Sequence, residues 1–537
     1  MSVHVDSFAR DHLPTRDLWP VLDLAGAGLH YPETLNCAEE LLDRAIERGW
    51  GARAAIRWPG GAWTYAELLG QANRVANALV REFGLVPGNR VLLRGPNNPM
   101  LVACWFGVLK AGGICVTTMP LLRSRELAAT IDKAEVWLAL CDFRFTEELE
   151  AARRHAPMLQ RIVRYGLEGH GELEVAMQRA SPDFRTVATA ADDTAIIAFT
   201  SGTTGQAKGT MHFHRDIIAM CDLFPPHCLR AGPDDIFCGS PPLAFTFGLG
   251  GILCFPLRIG ASTLLLEQAT PPHLIKAIHD HKATVCFTAP TAYRAMLGML
   301  KDHGIASLRA CVSAGEHLPA ATFEAWKTAT GISIIDGIGA TEMIHIFICA
   351  PPEEIRPGST GKAVPGYRAR IVGADGNELP RGTVGRLAVQ GPTGCRYLDA
   401  EDRQRGYVQG GWNFPGDSFS QDEDGYFWYQ ARTDDMIVSS GYNIAAAEVE
   451  NVLLEHVAVQ ECGVVGVPDE ERGQRITAFV VLRPGYQGTE VLVKELQDYV
   501  KSQIAPYKYP RVIEFVRALP RTETGKLQRF RLREGKP

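Results

Sequence analysis

The uncharged run Thr194-Ala-Ile-Ile-Ala-Phe199 leads directly into Thr200-Ser-Gly-Thr-Thr-Gly-Gln-Ala-Lys-Gly-Thr210, and no other part of the chain constrains its fold as tightly. The run reads as a buried strand. The segment after it crowds glycines and hydroxyls around one lysine, as a backbone needs in order to wrap a polyphosphate. Gly202, Gly205 and Gly209 let backbone N–H groups approach phosphate oxygens. Thr200, Ser201, Thr203 and Thr204 add donors, and Lys208 adds charge. This spacing implies ATP chemistry without a Walker A loop, because Lys208 is followed by Gly209 and Gly-x-x-x-x-Gly-Lys-Ser/Thr does not fit.

At 537 residues the chain is too long for one ordinary core and implies at least two domains. With 46% hydrophobic and 22% charged residues it can bury a large core without disulfide support. The 55 Lys and Arg against 61 Asp and Glu give a net charge of −6, which argues against a general nucleic-acid binder. Thirteen cysteines are scattered from Cys37 to Cys462 and never form Cys-x-x-Cys. Neither a zinc site nor a disulfide framework is signalled, and a reducing cytoplasm is expected. The N-terminus lacks the apolar core of a signal peptide. Residues 236–257 carry no charge, but Pro241, Pro242, Gly239, Gly248, Gly250 and Gly251 break them up. A buried, ligand-lining turn is expected there, not a membrane span.

Strand-like apolar runs alternate with helical periodicity along most of the length, which argues for an α/β architecture. Thr64-Tyr-Ala-Glu67 is a capping box, followed by Leu68, Ala72, Val75, Ala76 and Leu79 on one helical face. Pro87-Gly-Asn89 signals a turn before the strand Arg90-Val-Leu-Leu93, and Lys110-Ala-Gly-Gly113 ends a helix before the strand Ile114-Cys-Val-Thr-Thr118. Near Arg432 the pattern changes. Short strands are expected at 463–467, 478–482 and 512–516, with a helix over 489–504, enough for a small α+β domain.

The phosphate segment resembles that of the adenylate-forming superfamily, which includes acyl- and aryl-CoA ligases, luciferases and the adenylation domains of peptide synthetases. Ala207 stands where that family usually has proline. Its other signature segments occur in the expected order along nearly the whole chain. The resemblance implies a large multi-sheet N-terminal domain, 1–433, holding the ATP and acid pockets, and a small mobile α+β lid, 434–537.

The same resemblance implies roles for individual residues. In Gly337-Ile-Gly-Ala-Thr-Glu342, Thr341 is expected to contact the α-phosphate or substrate carboxylate, and Glu342 to hold Mg²⁺. Ile338 replaces an aromatic residue that often stacks on adenine. Adenine is therefore expected against Gly337 and Ile338 and the backbone of Ser313-Ala-Gly-Glu316 (Ala314, Gly315, Glu316), with Asp336 a candidate for its exocyclic amine. In Gly411-Trp-Asn-Phe-Pro-Gly-Asp417, Asp417 is expected to accept from the ribose hydroxyls, with Pro415 in place of threonine. Arg432 would contact ribose or phosphate, and Asp434 would be the hinge. Gly441, in Ser440-Gly-Tyr-Asn443, would leave room for a pantetheine arm. Lys526, in Thr524-Gly-Lys-Leu527, resembles the lysine of adenylation.

The acid pocket is expected from Phe245-Thr-Phe-Gly248, Gly339, Ala340 and Ile344-His-Ile-Phe347, where Phe247 can pack on a ring and His345 can supply a polar contact. Arg94-Gly-Pro-Asn-Asn98, Gly209-Thr-Met-His-Phe-His-Arg215 and Thr341-Glu-Met-Ile-His345 resemble the benzoate–CoA ligase branch, and within it 2-aminobenzoate (anthranilate)–CoA ligases. The implied reaction converts a small aromatic carboxylic acid, ATP and coenzyme A to an aryl thioester, AMP and pyrophosphate. Benzoate or another small aryl acid remains open as substrate, as does an acyl carrier protein as thiol acceptor. The quaternary state is left between monomer and homodimer.

Overall fold

The computed structural model describes residues 1–166, 170–201, 207–315, 318, 320–432, 436–520 and 529–534. Among these residues the strands form four sheets. The first runs in the order Arg161–Tyr165, Leu138–Asp142, Arg90–Arg94, Ile114–Thr118, Thr194–Ser201 and Ala207–Phe213. Its pairs are parallel except the last. Thr194–Ser201 and Ala207–Phe213 are antiparallel, with Thr200 opposite Lys208. The helix His214–Phe224 begins only after the second of these strands. This geometry differs from a Walker loop, where the helix follows the glycine-rich turn directly.

Local signals explain several elements. Thr64 accepts from the Glu67 N–H at 3.1 Å and Glu67 accepts from the Thr64 N–H at 2.7 Å, closing the capping box on Tyr65–Arg81. Leu68, Ala72, Val75, Ala76 and Leu79 are buried along that helix. They pack against Pro99–Lys110, which ends as Gly112 takes φ +75°.

The second sheet has nine strands. In order they are Lys362–Ala363, Ile346–Cys349, Ile334–Gly339, Ala310–Ser313, Val285–Thr288, Ile236–Gly239, Ser262–Leu264, Ala54–Trp58 and Gly61–Thr64. The uncharged residues 236–257 supply one central strand and then three short helical pieces, Thr246–Leu249, Gly250–Cys254 and Phe255–Arg258. Among the described residues no helix is long and apolar enough to cross a membrane. All thirteen cysteines are buried free thiols.

A third, antiparallel sheet occupies residues 368–432 and ends with Asp417–Gln421 paired to Phe427–Arg432. The next described strand, Met436–Ser439, belongs to a fourth sheet with Tyr442–Ala445, Val459–Asp469, Gly473–Leu482 and Val512–Phe515. Helices Ala446–Glu455 and Glu490–Gln503 cover it, burying Val449, Val452, Leu453, Leu492, Leu496 and Val500 with Val464, Ile476 and Val480. Thr489 caps the second helix through the Leu492 N–H. This cluster forms a hydrophobic core of its own.

Candidate active site

The strand Ile334–Gly339 and its antiparallel neighbour Ile346–Cys349 are joined by a turn carrying Thr341 and Glu342. Within it Thr341–Met343 is one 3₁₀ turn, and Ile344 is forced to φ +69°. A β-branched residue in that region is strained by about 1–3 kcal/mol and persists only where neighbours determine the backbone. Here the neighbours are visible. His212 Nε2 lies 2.7 Å from the Thr341 carbonyl, Thr393 donates to the Met343 carbonyl at 2.8 Å, and the Tyr397 hydroxyl donates to Glu342 Oε1 at 2.5 Å. Thr210 bridges Tyr397 in antiparallel fashion, so the strand that carries Lys208 also aligns these supports.

Among the described residues no cluster of three His, Cys, Asp or Glu side chains is placed to hold a metal. Glu342 stands as a half-buried carboxylate with one oxygen engaged by Tyr397. That donor set suits Mg²⁺, which prefers one or two carboxylates plus substrate phosphates and water over an all-protein cage.

Asp336 sits opposite Ser313 in the parallel pair of strands. Asp336 Oδ1 and Ser313 Oγ are buried without hydrogen-bond partners among the described residues. Burial pushes the Asp336 carboxyl up to about 8, with the Gly337 N–H opposing the shift. Two such polar atoms side by side on adjacent parallel strands are what a bound purine edge would satisfy. Gly337 is packed so tightly that a Cβ would come within 2.8 Å of Ile346, and Ile338 packs against the large core. Asp417 is buried and in register with Arg432 across the third sheet.

A cavity of about 1420 Å³ is lined by Phe245, Phe247, Ala314, Gly315, Gly339, Ala340, Thr341 and His345. Its floor is aromatic. The His345 ring lies 4.6 Å from Phe255, 5.3 Å from Phe224 and 5.8 Å from Phe247, centroid to centroid. Gly250 permits this approach, since a Cβ there would meet His345 at 2.5 Å. Burial drives the His345 pKa down to about 3, so the ring is neutral. Among the described residues neither ring nitrogen makes a hydrogen bond of good geometry, although the backbone of Phe247 acts on the ring. Gly248 differs from the expected pocket wall. It is buried against the Pro241 and Pro242 carbonyls, which a Cβ would strike at 2.8 and 2.2 Å, and does not line the cavity.

The small domain roofs the same cavity with Ser440, Gly441 and Tyr442. Ser440 and Gly441 have φ +50° and +81°, the pair of positive values that a tight type I′ hairpin turn requires. The Gly441 carbonyl lies 3.5 Å from the position a Gly315 Cβ would take, and Tyr442 meets Phe245 edge-on at 6.5 Å while stacking on Tyr507 at 4.1 Å. Beside this roof Lys508 is buried between Glu126 of the large domain and Glu448 of the small one, with Nζ 2.7 Å from Glu448 Oε1. The Ala505 N–H also donates to Glu126 at 2.8 Å.

The structure thus brings Thr341, Ala314, Gly315, Gly441 and the expected acid-pocket residues other than Gly248 around one cavity, with Glu342 beside Thr341 in the same turn and Asp336 on the strand that leads into it. Gly202, Thr203, Thr204, Gly205, Glu316, Asp434 and Lys526 lie outside the described residues. Thr200, Ser201 and Arg432 are placed as strand positions, their side chains outside the description. Sequence reasoning missed His212, Thr393 and Tyr397 as supports and Lys508 and Glu126 as an interdomain pair. His212 was visible only as one residue of a branch-specific segment.

The AMP-binding enzyme family matches residues 42–396, and the AMP-binding enzyme C-terminal domain matches 448–526. The benzoate–CoA ligase of Thauera aromatica is 35% identical over 507 residues, covering 94% of this chain and 96% of that protein. Among solved structures, the anthranilate CoA ligase AuaEII in complex with anthranoyl-AMP is 35% identical with a TM-score of 0.74, over 94% of this chain and 98% of that one. The amide bond synthetase McbA from Marinactinospora thermotolerans is 27% identical with a TM-score of 0.85, over 93% and 99%. The chain belongs to the AMP-binding enzymes, the adenylate-forming superfamily, and falls in its benzoate–CoA ligase branch of acid–thiol ligases.

Proposed function

We propose that this enzyme joins 2-aminobenzoate to coenzyme A through an aryl-adenylate. The observation that carries the acid is His345, a neutral imidazole buried in an aromatic floor with both nitrogens lacking a good protein partner. A flat ring fits between such faces, and an ortho amine gives an unpaired nitrogen the donor that benzoate withholds. The likeness to an anthranilate CoA ligase structure supports the same substrate. Benzoate or another small aryl acid is the alternative, given the benzoate–CoA ligase among its relatives.

In the first half-reaction a carboxylate oxygen attacks the α-phosphorus of ATP, and the bond to pyrophosphate breaks. Thr341 steadies the α-phosphate or the incoming carboxylate, and Lys526 bridges them where charge develops. Asp336 receives the adenine amine, Asp417 and Arg432 hold the ribose, and Lys208 with its hydroxyl-rich neighbours holds the departing phosphates. Mg²⁺ on the open oxygen of Glu342 would supply charge neutralisation for the pyrophosphate. In the second half-reaction the sulfur of coenzyme A attacks the acyl carbon, AMP leaves, and the thiol proton passes to solvent. Gly441 gives the pantetheine arm passage, and the hinge at Asp434 exchanges the lid faces.

Relative kcat/KM for 2-aminobenzoate, benzoate, 2-hydroxybenzoate and hexanoate, with thioester detection, tests this reading. An ortho-amine preference of about five- to two-hundredfold over benzoate is expected. A hexanoate preference overturns the aryl assignment, and a benzoate preference overturns the amine part. An amide formed from an added amine, with no thioester from coenzyme A, overturns the acceptor.

A further inference from the structure

We propose that His212 is a positioning residue for nucleotide activation, donating its Nε2–H to the Thr341 carbonyl and so fixing the strained turn that carries Thr341 and Glu342. The inference rests on the roles given above to those two residues. The contact spans 2.7 Å and links segments 129 residues apart. His212 lies on the strand Ala207–Phe213, four residues beyond Lys208, so the bond ties the phosphate-binding hairpin to the turn.

The chemistry of the contact is fixed by its partners. A carbonyl only accepts, so Nε2 must carry the hydrogen. His212 is fully buried, and burial lowers its pKa to about 4 despite Asp216, which leaves a neutral ring in this tautomer. Among the described residues Nδ1 has no hydrogen-bond partner, and it lies 3.9 Å from Asp216 Oδ2. That carboxylate is committed elsewhere, to the buried Arg396 guanidinium and to the Phe213 N–H at 2.9 Å. One bond from His212 to the turn, without a second from Nδ1 to the core, is poor use of a histidine for packing alone. An apolar side chain would fill a fully buried site without leaving an unpaired nitrogen. The bond has a specific mechanical task in return. Ile344 at φ +69° makes the turn unfavourable by itself, and the Thr341 carbonyl accepts both the Ile344 N–H at 3.1 Å and His212.

The test uses the full-length protein as wild type, His212→Leu and His212→Gln, the last because a Gln amide N–H reaches about as far as Nε2. Three quantities are measured: ATP–pyrophosphate exchange with 2-aminobenzoate, thioester formation from preformed aryl-adenylate, and calorimetric binding of α,β-methylene-ATP as Mg²⁺ is raised. His212→Leu should lower exchange and Mg²⁺-dependent analogue binding each about tenfold, and leave thioester formation within twofold. His212→Gln should restore exchange to within threefold of wild type. Equal losses in both half-reactions, a Gln variant no better than Leu, or unimpaired exchange in the Leu variant would each overturn the proposal. If His212→Leu does not fold, His212→Asn, polar but too short to reach Thr341, replaces it under the same criteria. Wild-type protein without aryl-acid exchange would sink the functional reading instead, while the analogue-binding arm would still decide His212.

Discussion

The Tyr397 hydroxyl donates a 2.5 Å hydrogen bond to Glu342 Oε1, joining residues 55 apart at the centre of the site. Engaging one carboxylate oxygen leaves the other for the Mg²⁺ proposed at Glu342. Tyr397→Phe keeps the ring and removes the bond. A hydrogen bond to a charged group is worth about 1.5–3 kcal/mol, so pyrophosphate exchange should fall about ten- to a hundredfold while the melting temperature stays close to wild type. Exchange unchanged in Tyr397→Phe would remove Tyr397 from this role.

Asp336 gives a pH signature. Its carboxyl is raised from 3.8 to about 8, so between those values the folded protein holds a proton that the unfolded chain releases. Stability therefore falls as pH rises through this window, with a limiting slope of about 1.4 kcal/mol per pH unit that residual solvent contact reduces. Asp336→Asn should melt progressively higher than wild type from pH 5 to pH 8, with a level difference above. A difference independent of pH in parallel thermal melts would contradict the assignment.

The legible parts of this fold were those written in short stretches of chain. The capping box at Thr64, the strand expected at 90–93, the helix expected over 489–504 and the lid strands all depend on neighbours within a few residues, and each forms within a residue of its expected ends, except that the strands expected at 463–467 and 478–482 run longer, as Val459–Asp469 and Gly473–Leu482. The signature segments also singled out Thr341, Glu342, Asp336 and Asp417, of which Thr341 lines the cavity. What could not be read were the partners that fold topology supplies. Nothing near Tyr397 points to Glu342, and Lys508 meets Glu126 across 382 residues. Gly248 went astray for a related reason: its neighbours Phe245 and Phe247 face the cavity, but a helical turn directs it to the Pro241–Pro242 backbone.

The Glu126–Lys508–Glu448 cluster predicts how the lid is held. Glu448 is raised well above the carboxylate range by burial, with Lys508 pulling it back, and Lys508 is raised by the surrounding anionic groups. Lys508→Met leaves two buried acids facing each other, and breaking such a pair costs about 3–5 kcal/mol. With Gly441 at the cavity mouth in this arrangement, thioester formation from preformed adenylate should drop at least tenfold in Lys508→Met and less in Glu126→Gln, with exchange largely kept. Equal loss of both half-reactions would dissolve the link to lid position.

Lys526 carries a separate prediction drawn from its segment. In the proposed mechanism its charge is needed only while negative charge develops at the α-phosphate, so Lys526→Ala should lose about a hundred- to a thousandfold in exchange. The same variant should convert preformed aryl-adenylate to thioester at nearly the wild-type rate. A loss there as deep as in exchange, in folded protein, would refute the division of labour.

Tyr442 belongs to the small domain, yet its ring stands edge-on to Phe245 over the acid pocket. Under the proposed function, the chamber that sorts carboxylic acids is built from two pieces, and one wall is present only while the small domain holds this position. Selectivity is then open to a second inspection: an acid admitted to the open chamber must still fit once Tyr442 arrives. Exchanging lids between relatives should thus alter acid preference without any change to the large domain, and a specificity redesign confined to residues 245–247 and 345 would be working on half of the lock.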